Sequence, residues 1–423
     1  MTVTSGPAGS KTFYGWWVVA AAFLSLGIAV GLPYYNMPFF YDYYQREFHW
    51  TKAQITFGFP LAALLTLWIG PVLVPRISPR KLILVGTALT SCALVGFGAM
   101  RGSLWIYYAM WFLYAIGYIL AGPIPHQLII SHWFHKHRGK AMGILFVGIG
   151  LIGFLGSYLV KPLTEGTDFH TALMVLGALV FLAWPLVILV LRDRASDKGL
   201  FPDGAAEPQA ELRLAPAADY RALFKQYPFW LLLLGSFCSV GSIGSVNFHM
   251  KFVFLDQGFT DHTREGLALL NSAWRTASMV ILASSVAGRL VVGALADRFS
   301  KKWVMTATYF IVAATIPILL TVRPQGSPVL FALLFGFGMG ADYLLIPLMA
   351  AEQFGVNSLA RALAVILPIN LIGQTWLPYF VSILREWSGS YEVAMGAVFV
   401  VSALGALAIM ALPRRRAMEE AIG

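Results

Sequence analysis

Twelve apolar stretches, each long enough to cross a bilayer, constrain this sequence more than any other feature. A transmembrane helix needs about 20 mostly apolar residues. Only 12% of the 423 residues are charged, whereas soluble proteins average about 25%. The sequence therefore predicts an all-α membrane protein in the lipid bilayer. The predicted spans 1 to 12 cover residues 14–41, 53–74, 81–100, 104–132, 139–163, 170–191, 227–255, 265–296, 302–322, 327–352, 358–384 and 391–412.

The longest polar stretch, residues 192–226, separates six predicted spans from the other six. It begins with alternating charges and continues through a segment rich in alanine and proline. We therefore predict an N-terminal six-helix bundle at 1–193, a central cytoplasmic loop at 194–226, and a C-terminal six-helix bundle at 227–423.

Basic residues predict the orientation of the chain, because cytoplasmic loops carry an excess of Lys and Arg. With a cytoplasmic N-terminus, 20 of the 30 basic residues lie inside and eight lie outside. The two others, Arg275 and Arg289, belong to predicted span 8. We therefore expect both termini in the cytoplasm and a location in the plasma (inner) membrane. The same distribution attributes the net charge of +10 to topology, with no nucleic-acid partner.

Two pairs of short segments repeat between the halves. "PVLVPRISPRK" at 71–81 corresponds to "GALADRFSKK" at 293–302, at an offset of 222 residues, with Pro75 at the position of Asp297. "KAMGI" at 140–144 corresponds to "RALAV" at 361–365, at an offset of 221 residues. The repeat predicts two pseudo-symmetric six-helix halves, which usually hold a substrate at their interface near the bilayer midplane.

With these features the sequence resembles the major facilitator superfamily over nearly its full length. "GALADRFSKK" is similar to the superfamily's loop motif of Gly, Asp-Arg and further basic residues. The resemblance implies a gating or structural role for Asp297 and Arg298, in which the Asp297 carboxylate caps or pairs with neighbouring helix ends. The alternative is that the basic residues only record topology.

Within that superfamily, four pieces resemble the monocarboxylate transporter and oxalate/formate antiporter branch. They are "YGWWVVAAAF" at 14–23, "HWFHKHRGKAMGI" at 132–144, "DKGLFPDG" at 197–204, and Arg289 in "GRLVVGALADR".

Three positions depart from that branch. Pro33 is followed by Tyr34 where proton-coupled members have Lys, and Ser285 replaces the acid one turn before the span 8 arginine. Span 11 has no basic residue after Arg361. The branch's proton relay and its recognition of dicarboxylates therefore do not carry over.

Arg289 is the strongest candidate for a substrate-binding residue. It precedes Asp297 by eight residues, which places it about 12 Å inside the membrane. An arginine at that depth must face protein or water, because contact with lipid costs at least about 2.5 kcal/mol. The guanidinium group could pair with a carboxylate only to hold helices together. The resemblance instead implies that it binds the carboxylate of a substrate bidentately.

Asp342 in predicted span 10 is the only acid expected at a similar depth. We expect it to pair with Arg289 when the site is empty, and to take up a proton when a substrate carboxylate replaces it. Asp342 is therefore the predicted proton-coupling residue. The alternative is a permanent Arg–Asp pair without a coupling role.

Other polar residues within the spans are weaker candidates. A histidine within a helix is more often a packing residue than a ligand, which is the alternative for His126. Arg275 is expected near the outer surface, and the two cysteines are expected to be small core residues. The remaining predicted substrate-binding residues are Tyr34, His126, Asn247, Tyr343 and Asn370.

The sequence lacks the motifs of an enzyme or of a receptor with a soluble sensing domain. It predicts a secondary active transporter of a small monocarboxylate that works by alternating access and is coupled to protons. The alternatives are an anion exchanger, or a drug or metabolite exporter of the same superfamily. We expect a monomer without a cofactor or bound metal, whose partners are the small carboxylate, the proton and the lipid bilayer.

Overall fold

A computed structural model describes residues 13–205, 218–259 and 264–413 of the chain. These residues form helices and connecting loops and contain no β-strand. Eleven helices among them are long and apolar enough to cross a membrane. We number these helices span 1 and spans 3 to 12, in the order Gly15–Asn36, Pro79–Ala99, Leu104–Trp133, Arg138–Thr164, Phe169–Leu189, Tyr227–Asp256, Leu269–Arg298, Lys301–Thr321, Val329–Phe354, Val356–Ser388 and Tyr391–Met410.

Span 2 is shorter than the predicted helix at 53–74. Its apolar part runs over Pro60–Leu73, within helices Lys52–Thr66 and Ile69–Leu73. With span 2 counted, the described residues supply the twelve predicted spans.

Three further spans are interrupted, two of them beside Pro33 and Pro123, where a proline within an apolar stretch predicts a kink. Span 1 changes at Gly27–Gly31 into a π-helix, whose extra residue precedes Pro33, a residue without an N–H. Span 4 breaks at the extended residue Gly122, and Pro123 begins its second segment. Span 6 consists of helices Phe169–Val180 and Ala183–Leu189. Interruptions of this kind inside a membrane occur where the backbone is buried in protein or lines a cavity.

The region predicted as the central loop contains three short helical pieces. Two 3₁₀ turns cover Ala195–Lys198 and Pro202–Gly204, and an α-helix covers Tyr220–Lys225. The Asp203 carboxylate accepts hydrogen bonds from three consecutive backbone N–H groups between spans 4 and 5. This part of the chain is therefore bound to the N-terminal half.

Both ends of the described chain lie at the same face of the bundle. The Phe13 ring packs against that of Trp133, at the end of span 4. The Pro413 carbonyl accepts a hydrogen bond of 3.1 Å from Gln353, near the end of span 10. We call this side the terminal face and the opposite side the distal face. The predicted orientation makes the terminal face cytoplasmic.

The buried side chains form three clusters that show how the halves meet. The largest cluster joins both halves and contains Ile129 and Met142 of one half with Leu344 and Leu363 of the other. Two smaller clusters, one in each half, lie toward the distal face and do not merge. The halves are therefore packed together at the terminal face and separated toward the distal face.

One contact that closes the terminal face joins span 5 to span 8; we call it the 5–8 contact. A Cβ atom added to Gly293 would lie 2.5 Å from the Gly139 carbonyl oxygen, so the two backbones touch. The Asp297 carboxylate accepts hydrogen bonds of 2.6 Å from the Gly139 N–H and 2.8 Å from the Lys140 N–H. Asp297 therefore caps the beginning of span 5 across the interface between the halves.

A second contact joins span 2 to span 11 and is looser; we call it the 2–11 contact. A Cβ atom added to Gly70 would lie 3.5 Å from the Ala364 carbonyl oxygen, an ordinary van der Waals distance. The central segment, which we define as the described residues 195–205 and 218–226 between the halves, completes this contact. The Ala218 N–H donates to Ser358 Oγ at 3.0 Å, Arg361 Nη1 donates to the Ala218 carbonyl at 2.9 Å, and the Tyr220 hydroxyl donates to the Pro71 carbonyl.

Candidate functional site

Arg289 lies on span 8 where that helix meets the N-terminal half, and its side chain is partly buried. Side chains of a helix lean toward its N-terminus, which directs this one toward the distal face. Its Nη1 donates a hydrogen bond of 3.1 Å to Ser285 Oγ and lies 3.8 Å from the position of a Cβ atom added to Gly150. Tyr35 of span 1 is its electrostatic neighbour across the interface.

The backbone at Arg289 is held from two sides. A Cβ atom added to Gly143 of span 5 would lie 2.4 Å from the Arg289 carbonyl oxygen. A Cβ atom added to Gly288 would lie 2.1 Å from the carbonyl oxygen of Phe337 on span 10. Glycine is required at both positions because a side chain would separate the helices. The backbone is therefore fixed by its neighbours, while the guanidinium group extends into the space between the halves.

The chemistry available at Arg289 is anion binding. A guanidinium group has five N–H donors in a planar fork that matches a carboxylate. Among the described residues, its side chain makes one hydrogen bond and no ion pair. The other donors are available for an anionic ligand.

The expected ion pair between Arg289 and Asp342 is not present. Asp342 is fully buried, and its Oδ1 accepts a hydrogen bond of 3.0 Å from Ser239 Oγ of span 7. Its other described neighbour is the hydroxyl of Tyr309 on span 9. Pairing with Arg289 in the empty site is therefore wrong for this conformation.

Arg289 and Asp342 lie at similar depths, but their side chains point in different directions. Span 10 touches span 8 at Gly340, where an added Cβ atom would lie 2.1 Å from the Ser285 carbonyl oxygen. Asp342 is two residues further along, about 200° around the helix. Its carboxylate therefore points into the interior of the C-terminal half, whereas Arg289 points out of that half.

His126 is enclosed within the N-terminal half. It is fully buried, with Nε2 2.6 Å from Ser25 Oγ and Nδ1 2.9 Å from the Gly122 carbonyl. Because a carbonyl only accepts, Nδ1 carries the proton in the neutral ring and Nε2 accepts from Ser25. In this conformation the ring is a packing residue beside the break in span 4 and does not reach the space between the halves.

The other predicted substrate-binding residues differ in accessibility. Tyr34 is 40% exposed, and its ring packs against those of Tyr35 and Tyr118. The Tyr343 hydroxyl donates to Gln374 Oε1 at 2.9 Å. Tyr34 and Tyr343 therefore lie between the halves.

The two predicted asparagine ligands lie apart from this pair. Asn247 is exposed and its Nδ2 is 3.3 Å from the Met339 sulfur. Asn370 is fully buried, and its Oδ1 accepts from Ser236 at 3.1 Å inside the C-terminal half. Asn370 therefore has no surface open to a ligand in this conformation.

Several lesser expectations are resolved as well. Arg275 is exposed on span 8, and Arg298 is exposed at the end of that helix, beside Asp297. Cys238 is buried as expected, but Cys92 is exposed, so its assignment to the core was wrong. An apolar segment of a membrane protein can face lipid as well as core, which hydropathy alone does not distinguish. The described residues contain no cluster of three or more His, Cys, Asp or Glu side chains suited to a metal ion.

Two of the predicted residues, Tyr34 and Tyr343, belong to a group of tyrosines between the halves whose other members, Tyr35 and Tyr118, were not predicted. The ring centroid of Tyr34 is 5.5 Å from that of Tyr35 and 6.3 Å from that of Tyr118. Tyr343 of span 10 is an electrostatic neighbour of all three. We call Tyr34, Tyr35, Tyr118 and Tyr343 the tyrosine group. The available signal was the occurrence of tyrosines within apolar spans 1 and 4.

The family model of the Major Facilitator Superfamily matches residues 18–291. The chain belongs to this superfamily. It is 26% identical to monocarboxylate transporter 11 of Mus musculus, over 97% of this chain and 90% of that protein. It is 24% identical to the fujikurins efflux protein of Gibberella fujikuroi, over 84% of this chain and 73% of that protein.

Solved structures agree with this fold. The superfamily transporter FucP, crystallised in its outward conformation, superposes with a TM-score of 0.69 at 14% identity, covering 94% of this chain and 98% of that one. A human organic anion transporter superposes with a TM-score of 0.66 at 11% identity, covering 93% and 99%. At these identities the likeness shows the fold alone. As members of a transporter superfamily, such chains carry small molecules across a bilayer and are not enzymes.

Proposed function

We propose that this protein is a secondary active transporter of organic monocarboxylates, with Arg289 as the anion-binding residue. The observation that carries the proposal is a partly buried guanidinium group between the halves, with a single hydrogen bond and no ion pair among the described residues. The similarity to monocarboxylate transporters adds support. A single arginine suits one carboxylate, so the preferred substrate is a monoanion.

The packing of the halves supports alternating access. The shared buried cluster and the 5–8 and 2–11 contacts close the terminal face, while the halves part toward the distal face. With the predicted orientation, Arg289 then faces the outside. Opening the terminal face requires the 5–8 contact to break, and this contact includes the backbone of Arg289 itself through Gly143.

The proposal further includes proton coupling, with Asp342 as the residue that takes up the proton. Its buried carboxylate has Ser239 and Tyr309 as neighbours and no basic partner among the described residues. A buried unpaired charge costs several kcal/mol, which a proton would remove. Because spans 8 and 10 touch at Gly288 and Gly340, movement of span 8 on substrate binding is transmitted to span 10.

A second candidate is export or exchange of a larger organic anion. The chain is similar to fungal efflux proteins as well as to monocarboxylate transporters. Arg289 serves either direction of transport, so the two candidates share the anion site and differ in the driving gradient.

Ligand binding to purified protein tests the anion site. Benzoate and benzamide have nearly the same shape, but only benzoate can form charge-assisted hydrogen bonds with a guanidinium group. Such bonds contribute about 1.5–3 kcal/mol each, so we expect benzoate to bind at least about tenfold more tightly than benzamide. Arg289→Lys should remove most of this difference, because ammonium lacks the planar fork.

Arg275→Lys is the matched control, since Arg275 is exposed on the same helix. It should leave both affinities unchanged. Equal binding of benzoate and benzamide to the wild type, or an unchanged preference in Arg289→Lys, would remove Arg289 from the site.

Transport in proteoliposomes tests the coupling. Asp342→Asn should still exchange labelled benzoate across the membrane but should lose accumulation driven by an inward proton gradient. Wild-type accumulation by this variant would show that Asp342 has only a structural role.

A further inference from the structure

A cavity at the terminal face lies between the N-terminal half, the central segment and the beginning of span 11; we call it the terminal cavity. Its volume is about 190 Å³. The lining residues on which the argument depends are Ser131, Arg138, Arg194, Leu200, Phe201 and Val356. Arg138 immediately precedes Gly139 of the 5–8 contact, so the cavity lies on the terminal side of that contact, apart from Arg289.

Arg138 brings a buried positive charge to the wall of this cavity. The residue is 6% exposed. Its Nε donates to the Phe134 carbonyl at 3.0 Å, and its Nη2 donates to the Ser131 carbonyl at 3.2 Å. These carbonyls orient the guanidinium group but carry no net charge, and no carboxylate in the described part of the chain forms an ion pair with it. Because a buried charge without a counter-ion is costly, an anion in the cavity would be stabilised.

The acids nearest to Arg138 are already engaged elsewhere. Its acidic electrostatic neighbours are Asp203, Asp297 and Glu352. Asp203 and Asp297 accept hydrogen bonds from backbone N–H groups, and Glu352 forms an ion pair of 3.0 Å with Lys301. The ionisable side chains that line the cavity, among the described residues, are all basic: His132, His135, Arg138 and Arg194. The cavity is therefore a positively charged space.

Two further features add positive charge at the wall. Arg194 is exposed, and within the described residues its side chain forms no ion pair. The Asp197 carboxylate on the same turn accepts a hydrogen bond of 3.0 Å from the Arg194 backbone N–H and does not line the cavity. Val356 begins span 11, a helix of 33 residues whose N-cap Gly355 provides no side-chain acceptor. The beginning of a helix carries a partial positive charge and is a common place for phosphate to bind.

The remaining wall combines one unsatisfied hydroxyl group with apolar surface. Ser131 Oγ is buried and has no hydrogen-bond partner among the described residues. Buried hydroxyl groups nearly always have a partner, which an oxygen of a bound anion would supply. Leu200 and Phe201 form an apolar part of the wall. A cleft with charges of one sign and apolar walls concentrates the electric field and attracts counter-ions.

We propose that the terminal cavity binds a phosphate group, supplied by a soluble phosphate monoester or by the headgroup of an anionic lipid. Two guanidinium groups and a helix beginning suit a dianion better than a single carboxylate. One water needs about 15 Å³ on the same measure, so about 190 Å³ leaves room for a phosphate group. Because Val356 belongs to the C-terminal half, the bound group joins the halves and stabilises the closed terminal face. The site is therefore regulatory and distinct from the proposed substrate site.

Calorimetry on purified protein tests the site and distinguishes the two sources of phosphate. One arm titrates glycerol phosphate, with glycerol as the control. The other arm titrates short-chain phosphatidic acid, with zwitterionic phosphatidylcholine of the same chain length as the control. Tighter binding of glycerol phosphate identifies a soluble ligand, and tighter binding of phosphatidic acid identifies a lipid. Failure of both to bind better than their controls overturns the proposal.

Arg194→Gln tests whether the ligand lies in the cavity. The exposed position should tolerate the change, and loss of one charge-assisted hydrogen bond should weaken phosphate binding about tenfold. Lys198→Gln is the matched control, because it removes the same charge four residues away, where exposed Lys198 lies over the Tyr14 ring outside the cavity. An equal loss of affinity in both variants would show diffuse charge attraction and overturn the site.

Spin labels at exposed Lys140 and Ser300 test the link between the halves. Gly293→Ala separates spans 5 and 8, because its new Cβ atom would lie 2.5 Å from the Gly139 carbonyl oxygen. The better phosphate ligand should shorten the label distance in Gly293→Ala, and adding Arg194→Gln should remove that shortening. Binding without any change in distance would contradict the joining of the halves.

Arg289→Lys separates this inference from the proposed function. It should leave phosphate affinity unchanged, whereas Arg194→Gln should leave benzoate affinity unchanged. Loss of phosphate binding in Arg289→Lys would place the phosphate at Arg289 and overturn the terminal cavity as its site. Loss of benzoate preference in Arg289→Lys, with phosphate binding intact, supports both sites.

Discussion

The 5–8 and 2–11 contacts come from the same repeated segments and close the terminal face by different means. At the 5–8 contact, Asp297 caps the beginning of span 5 and the glycine backbones touch. At the 2–11 contact, Pro75 occupies the position equivalent to Asp297 and provides no carboxylate. Residues 218–220 of the central segment instead bridge Pro71 to the beginning of span 11.

This difference indicates which parts of a duplicated interface can vary. A helix beginning leaves backbone N–H groups without intrahelical partners, and a carboxylate is the strongest acceptor for them. At the 2–11 contact Pro75 offers no such carboxylate, and residues 218–220, outside the repeat, instead form hydrogen bonds with the side chains of Ser358 and Arg361. The 5–8 contact is thus held mainly by backbone packing and a charge, and the 2–11 contact by hydrogen bonds between the central segment and residues of spans 2 and 11.

The largest expected effect comes from adding a single methyl group to the tighter contact. In Gly293→Ala the new Cβ atom would lie 2.5 Å from the Gly139 carbonyl oxygen, so spans 5 and 8 must separate. We expect a cost of about 3 kcal/mol to the closed terminal face, by analogy with overpacked cores. Distances between spin labels at exposed Lys136 and Ser300 should lengthen.

Gly70→Ala is the matched change at the looser contact. Its new Cβ atom would lie 3.5 Å from the Ala364 carbonyl oxygen, which is ordinary contact, so the label distances should stay as in the wild type. If both alanine substitutions changed the label distances equally, the 5–8 contact would not be tighter than the 2–11 contact.

Removing the charge at Asp297 should have the second largest effect. Asp297→Asn retains one acceptor oxygen but loses the charge that strengthens both hydrogen bonds to span 5. We expect about 2 kcal/mol less stability of the closed terminal face, within the range for charged hydrogen bonds. The change would appear as a rise in the distance between spin labels at exposed Lys140 and Ser300. Asp203→Asn is the control, because Asp203 caps a turn within one half; an equal rise in that variant would contradict the interface role of Asp297.

The smallest expected effect is at the 2–11 contact. Tyr220→Phe removes the hydrogen bond to the Pro71 carbonyl and should cost about 1 kcal/mol. Partial burial raises the pKa of Tyr220 above its ordinary value, so the hydroxyl remains a donor through neutral pH and the contact should not vary there. Spin labels at exposed Ile77 and at a position near the start of span 11 would report the opening.

Tyr227→Phe is the control for this measurement, because Tyr227 is 61% exposed and lies only seven residues away. Identical label distances in Tyr220→Phe and the wild type, across the whole neutral range, would show that the central segment does not hold the 2–11 contact.

Much of the fold could be predicted from the sequence, because hydropathy directly reports the length of helix that lipid can cover. The twelve spans and their approximate bounds follow from that alone, although spans 1 and 2 are clearly shorter than expected. The breaks in spans 1 and 4 were harder to predict. Pro33 and Pro123 suggested kinks, but the π-helix before Pro33 depends on the close packing of Gly27 and Gly31 against span 5.

The candidate site was less predictable than the fold. Arg289 stands out in the sequence because an arginine within an apolar span is costly in lipid. Tyr35 and Tyr118 carry no comparable signal, since a tyrosine in a span is compatible with core, lipid interface or cavity. His126 and Asn370 looked like candidate ligands, and their partners Ser25 and Ser236 on other spans enclose them instead.

The sequence by itself determined how deep Arg289 and Asp342 lie along their spans. Only the tertiary structure decided in which direction their side chains point. Each residue advances a helix by about 1.5 Å, so counting from the end of a span places Arg289 and Asp342 at similar heights. The direction of a side chain depends on which face of its helix is packed against a neighbour. At spans 8 and 10 that face is set by backbone contacts at Gly288 and Gly340. These contacts turn Asp342 into its own half and Arg289 out of it, which no count along a single helix reveals.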